Sequence, residues 1–188
     1  MPATARCIPV AALLSLLAVS AASAQRAPAR KGFWVGVGGG SGSLGQSCGG
    51  CTGRTTAGTA YLKLGGTLNE RWRLGVETDT WVKVAGGTTV VAGNASLAAY
   101  YYPMPARGLF LRGGVGFAYY QEQHQTNAAI GLGLVGGVGY DLKIGAGFAL
   151  TPFANLNWGS VGDVVRGLTT IRAVKQTLTQ VGLGVTWH

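Results

Sequence analysis

From Gly32 onward the chain alternates apolar with small or polar residues at a period of two, broken at intervals by turn-rich stretches. That period is the signature of strands with two unlike faces. It predicts eight strands: about Gly32 to Ser41, Gly58 to Leu68, Trp72 to Val84, Val90 to Tyr102, Leu109 to Tyr120, Ala129 to Leu142, Phe148 to Trp158, and Arg172 to Trp187. In the third strand Trp72, Leu74, Val76 and Val82 oppose Arg73, Glu77, Asp79 and Lys83. In the fifth, Leu111, Val115 and Phe117 oppose Arg112, Gly114 and Gly116. In the last, Val181, Leu183, Val185 and Trp187 oppose Gln180, Gly182, Gly184 and Thr186.

The connectors predict an up-and-down order. Asn69 to Arg71, Pro103 to Gly108 and Lys143 to Gly147 are short, whereas Gly42 to Ala57, Gln121 to Ala128 and Gly159 to Ile171 are longer. Ala85 to Thr89 breaks the rule by being only medium. Short turns alternating with longer loops, and strands of about 9–11 residues or a little more, fit a transmembrane barrel.

Alternation alone does not say which face points inward, and a soluble barrel would turn the apolar face in. The aromatics decide. On the apolar faces Phe33, Trp72, Tyr101, Tyr140, Phe148 and Trp187 gather at the turn ends, while Tyr119 and Trp158 lie toward the loop ends. Two aromatic bands flanking aliphatic residues match the interfacial girdles of a membrane barrel. The fold class is therefore all-β: an eight-stranded antiparallel up-and-down transmembrane β-barrel. Trp34 and Trp81 fall on the opposite face and are expected to plug the lumen ends or to rise above the membrane, and Pro152 is expected to mark a bulge near the periplasmic rim, because it cannot donate to a ladder.

The first residues set the compartment. Arg6, the apolar run Ile8 to Ala21 and the small-residue site Ala22-Ser23-Ala24 read as a secretory signal peptide over residues 1–24, with cleavage before Gln25. The run is too short for a membrane helix of about 20 residues, and Cys7 leaves with it. Residues 25–31, including Arg26, Arg30 and Lys31, read as a basic periplasmic tail, and 32–188 as one barrel domain. Glycine supplies 33 of 188 residues without a G-X-Y period, and 47% of residues are hydrophobic, which excludes collagen and disorder. The formal charge of +9 does not point to nucleic acid, since an exported chain does not meet it.

Candidate chemistry is sparse. Cys48 and Cys51, the two cysteines of the mature chain, are expected to form a loop disulfide in an oxidising compartment. A redox role lacks the helix N-terminus that would lower a thiol pKa, and a metal site lacks a second ligand pair. Lys63, Arg73, Glu77, Asp79 and Arg112 share the polar face and predict a charge network in the lumen, with Arg112 pairing to Glu77 or Asp79. Gly36, Gly38, Gly114, Gly131, Gly137 and Gly184 suggest a partly bare lumen with room for water or a small solute. No cofactor is implied.

With these strands, the export signal and the final strand, residues Gly32 to His188 resemble the small outer-membrane β-barrel family of the OmpA-barrel and OmpX type. The segments Gly139-Tyr-Asp-Leu142 and Leu150-Thr-Pro-Phe153 look like generic members of it. The resemblance implies that Gln180, Gly182, Val185 and Trp187 form the assembly signal read by the outer-membrane insertion machinery. His188, beyond the aromatic, departs from the usual ending. It also implies outer-membrane lipids, that machinery and periplasmic chaperones as partners; a fold likeness carries no function, and the residues themselves lead to the expectation of a monomeric, non-enzymatic protein with a structural or surface-interaction role. A narrow channel for ions or small apolar solutes is the alternative. His124-Gln-Thr-Asn127 resembles the His-x-Ser-Asn of the outer-membrane lipid A deacylase family, but Thr126 replaces the serine and the next acid is Asp141, a strand away. A lipid A-modifying enzyme is thus a remote third reading.

Mass spectrometry of the mature protein isolated from membranes should find Gln25 as its first residue. An N-terminus that retains Ala22-Ser23-Ala24 would contradict the cleavage site.

Overall fold

A computed structural model describes residues 32–48, 53–123, 129–145, 147–166 and 169–188. The signal and tail (residues 1–31), Cys51, and the His124, Thr126 and Asn127 motif lie outside the described residues. The strands are β1 (Phe33–Ser47), β2 (Arg54–Thr67), β3 (Trp72–Ala85), β4 (Thr88–Tyr101), β5 (Leu109–Glu122), β6 (Ala129–Tyr140), β7 (Leu142–Gly145), β8 (Phe148–Arg166) and β9 (Thr169–Trp187). All pairings are antiparallel. Neighbours in sequence pair in turn, β8 pairs β6, and β9 pairs β1, so the sheet closes. β6 and β7 follow one another along the same side of β8 and make one stave. The architecture is a closed barrel of eight staves. No helix among the described residues is long and apolar enough to cross a membrane, which leaves crossing by strands untouched.

The register fixes the barrel's shape. The row of partners Val35, Leu64, Val76, Leu97, Val115, Leu134, Trp158 and Thr177 returns to β1 at Gly45, ten residues above its start. A stagger of ten over eight strands, with about 3.3 Å per residue and about 4.8 Å between strands, requires a tilt of about 40° and a radius of about 8 Å. Such a tube has room for side chains and little else.

Local sequence explains the connections. The medium connector closes as a two-residue turn, Gly86-Gly87, with φ of 56° and 77°. Two consecutive positive φ values are what the tight hairpin turn demands, and glycine meets them without strain. At the other end the Asn69 Oδ1 accepts hydrogen bonds from the backbone N–H of Arg71 (2.9 Å) and Trp72 (3.0 Å) and fixes the β2–β3 turn.

Three expectations are corrected. The stretches Gly42 to Ala57 and Gly159 to Ile171, expected as loops, are largely strand. Their outward serines, glycines and threonines look like loop composition, but Leu44, Val161 and Val164 within them point inward and are buried. Pro152 marks no bulge. Gly139 pairs with Phe153 and Leu142 with Leu150 in unbroken step. The ladder is instead interrupted between these rungs, dividing β6 from β7 opposite Pro152. Asp141 N donates to Gly108 O at 2.9 Å rather than to β8. The bulges in the β8–β9 pairing lie at Ser160 to Val164.

The third correction concerns the lumen. Its glycines do not leave it bare. A Cβ at Gly36 would strike Lys63, one at Gly38 would strike Tyr61, one at Gly137 would strike Asn155, and one at Gly139 would strike the Phe110 ring. Each glycine is a hollow in which a large side chain of a neighbouring strand lies down. The interior is therefore filled: Trp34, Ala98, Tyr100, Tyr102 and Phe110 close the turn end. Leu44, Trp81, Ala118, Tyr120, Val161, Val174 and Leu178 belong to the cluster that closes the loop end. Trp34 and Trp81, each 2% exposed, sit in opposite plugs.

Gly139→Ala should cost about 1–3 kcal/mol, the usual penalty of overpacking. In a Phe110→Ala background the same change should cost much less. Urea unfolding of the four proteins in detergent micelles reads the difference; equal costs in both backgrounds would contradict the packing.

Candidate functional site

The best-formed polar site lies between the two plugs. Lys63 (β2), Arg73, Glu77 and Asp79 (β3) and Arg112 (β5) all point inward and are at least nine-tenths buried. Residues two apart in a strand share a face, so Arg73, Glu77 and Asp79 stack along one wall. Arg112 reaches that wall with both terminal nitrogens: Nη1 lies 3.1 Å from Glu77 Oε2 and Nη2 lies 2.6 Å from Asp79 Oδ2. The anticipated choice between Glu77 and Asp79 resolves as both. Arg112 Nη2 also donates to Asn157 Oδ1 at 3.2 Å, which ties β5 to β8 across the lumen. The Tyr100 hydroxyl donates to Glu77 Oε2.

Lys63 does not join this cluster through a salt bridge among the described residues. Its ammonium sits among the rings of Tyr61, Phe110 and Tyr100, 5.0, 5.1 and 5.4 Å from their centroids. Cation–π attraction is strongest where the cation is desolvated. Arg73 forms a second centre. Its guanidinium lies 4.6 Å from the Tyr102 ring centroid and 3.8 Å from Asp141 Oδ2. Asp141 also accepts from the hydroxyls of Tyr102 and Thr151, each at 2.9 Å. Asp141, named from the sequence only as the next acid after the His124 motif, therefore belongs to the lumen charges. Two of the three cations, Arg112 and Arg73, thus meet three carboxylates; Asp141 keeps the inward period of β6 just past its break, and only the fold brings it to Arg73.

Between these centres and the loop-end plug, Gln180 Oε1 accepts from Asn157 Nδ2 at 3.3 Å and Asn155 Nδ2 at 3.5 Å. Gln176 Nε2 donates to Gly93 O (3.3 Å) and Tyr119 O (3.2 Å). Gln180 therefore has an internal structural role beside the one its place in the final strand implies. Gly182 faces Gly40 closely across the closing pair, and Val185 and Trp187 turn outward. Trp187 stacks on Phe148 with centroids 6.3 Å apart. His188 adds a rung through its N–H to Gly147 O at 2.9 Å, and its ring approaches Arg73 at 3.5 Å. Cys48 packs against the loop-end cluster.

Chemically, this arrangement holds strands in place. The charges are paired with one another or with aromatic faces. No group of three His, Cys, Asp or Glu among the described residues could hold a metal. On the outside, Leu97, Val115, Phe117, Ile130, Leu132, Val181 and Leu183 are at least half exposed, an extent of bare apolar surface that a water-soluble barrel does not carry.

No protein-family model matches the chain, and no curated protein matches it. Solved structures do. Ail, the attachment invasion locus protein of Yersinia pestis, superposes with a TM-score of 0.58 at 11% identity, over 84% of this chain and 100% of that one. The same protein in complex with the heparin analogue sucrose octasulfate gives 0.55 at 11% identity, over 83% and 99%. Neisserial surface protein A gives 0.53 at 16% identity, over 85% and 98%. At such identities the likeness is one of fold: that of the small eight-stranded outer-membrane barrels.

Arg112→Met should destabilise the barrel by about 3–5 kcal/mol, because it strands two buried carboxylates. Arg112→Met combined with Glu77→Gln and Asp79→Asn should recover a large part of that loss. Urea titration followed by tryptophan fluorescence measures both, and a harmless single change would contradict the pairing.

Proposed function

We propose that this chain is an integral outer-membrane barrel whose work is done by its outer surface and loop-end rim, without catalysis. The observation that carries this reading is the combination of a bare apolar exterior, bounded by aromatic girdles, with an interior filled from plug to plug. A surface that apolar needs lipid, and a filled lumen leaves the loops and the rim as the places to meet a partner. Signal cleavage, insertion by the barrel-assembly machinery after passage with periplasmic chaperones, a Cys48–Cys51 loop staple and a monomeric state belong to the same proposal. The narrow-channel reading loses support, since Gly36, Gly38, Gly137 and Gly184, four of the glycines that suggested space, each lie under a side chain of Lys63, Tyr61 or Asn155.

The rim charge suggests the kind of partner. Arg54, Lys83, Arg172 and Lys175 stand at the loop end, against Glu122 and Asp163 among the described residues. A basic rim attracts polyanions, and salt screens the attraction. Ail, of like fold, has been crystallised with a sulfated heparin analogue.

Two measurements test the reading. Planar bilayers carrying the protein should show no stepwise conductance; steps that vanish when Lys63 or Arg112 is changed would restore the channel. The refolded barrel should be retained on a heparin column at low salt, and Lys83→Gln with Arg172→Gln should shift elution to lower salt. Absence of retention would remove the polyanion from the proposal.

A further inference from the structure

The apolar exterior is not equally tall all the way round. On β8 the six outward positions from Phe148 to Trp158 are all apolar, and on β6 the six from Tyr140 to Ile130 are apolar apart from Gly136. Alternate residues rise about 5 Å along the axis of a barrel tilted by about 40°. Six positions therefore span about 25 Å, the height of a membrane barrel's apolar band. On β9 the run stops after four, Trp187 to Val181, and continues as Thr179, Thr177 and Lys175. On β1, Gly39 is followed by Ser41, Ser43 and Gly45. These two strands pair with each other at the seam where the sheet closes. The band is about 10 Å shorter there than on β8 and β6.

Arg54 of β2 occupies the top of this notch. It faces outward, and its side chain lies flat across β1, over Gly45, where a Cβ would crowd it. Nε donates to Ser43 Oγ at 3.0 Å; Nη2 donates to Ser43 O at 2.6 Å, to Thr179 Oγ1 at 3.0 Å and to Thr177 O at 3.4 Å. All of these acceptors are neutral. Nη1 enters none of these bonds, and Arg54 has no ion pair to a carboxylate among the described residues. Lys175 faces outward on β9, two positions beyond Thr177. The guanidinium is thus held on the exterior, at the edge of the apolar band, with no carboxylate among the described residues paired to it.

We propose that the notch at the β2–β1–β9 seam is a lipid headgroup site, in which Arg54 binds the phosphate of an outer-leaflet lipid and Lys175 supplies a second positive charge. This inference rests on the outer-membrane reading above. A guanidinium fork suits phosphate oxygens. The shortened band brings headgroups down to Arg54, whereas on the other side apolar residues would hold them higher. The fork also spans three strands, so a bound phosphate would brace the closing seam.

The test uses the full mature chain reconstituted in vesicles of phosphatidylcholine mixed with phosphatidylglycerol. Native mass spectrometry after gentle detergent release should show retained phosphatidylglycerol. Arg54→Gln with Lys175→Gln should lower that retention about tenfold, the value of one charge-assisted contact. Because Arg54 also bridges strands, Lys175→Gln alone is the second variant: it leaves those bridges intact and should still reduce retention. Heat-modifiable migration on gels confirms that each variant is folded. Unchanged retention in folded variants overturns the site. Equal occupancy by inorganic phosphate, added to lipid-free protein in detergent, overturns the lipid as its ligand. A wild-type chain that stays in water without entering vesicles overturns the membrane reading and this inference together.

Discussion

Closure of the sheet is the constraint on which everything else in this molecule depends. A strand that faces lipid cannot leave its N–H and C=O groups to solvent, so each must find a neighbour. An open sheet has two edges that fail this condition; a closed one has none. Here β9 returns to pair with β1 over thirteen rungs, from Val35 with Trp187 to Ser47 with Lys175. Once the number of staves and the stagger of ten residues are set, the tilt and the radius follow, and the lumen has room only for side chains.

The narrow lumen then dictates its own chemistry. Large residues cannot face one another across every row, so glycine on one strand makes space for Tyr61, Phe110 or Lys63 on the next. Charges inside cannot be left alone. Arg112 pairs with Glu77 and Asp79 together, Arg73 meets Asp141, and Lys63 uses aromatic rings. These contacts cross strands distant in sequence, and they brace the tube from within. Aromatic and aliphatic plugs close the two ends.

The same geometry makes the exterior readable as a membrane profile. The girdle at the turn end and the band above it follow from alternation, but their heights differ around the circumference because rows climb as they circle. That climb is why the polar residues of β9 and β1 come together as one notch. Neither strand alone shows it; Ser41, Ser43 and Thr179 look like ordinary rim residues until the closing pair sets them side by side.

Much was legible along the chain. The period of two places Arg73, Glu77, Asp79, Arg112 and Trp81 on one face, and the sorting of aromatics makes that face the inward one. Those are local or statistical properties, and side-chain direction in a strand needs no partner to be known. The strand ends in Gly42 to Ala57 were misread, because serine and glycine on an outward face look like loop. What only tertiary structure decided is everything that needs two strands at once. That includes the double pairing of Arg112, the recruitment of Asp141 at the break opposite Pro152, and the filling of the glycine hollows. It also includes the reach of Arg54 across the seam. The physical reason is that alternation specifies a direction for each side chain, whereas distance between side chains comes from register and closure, which no single strand contains.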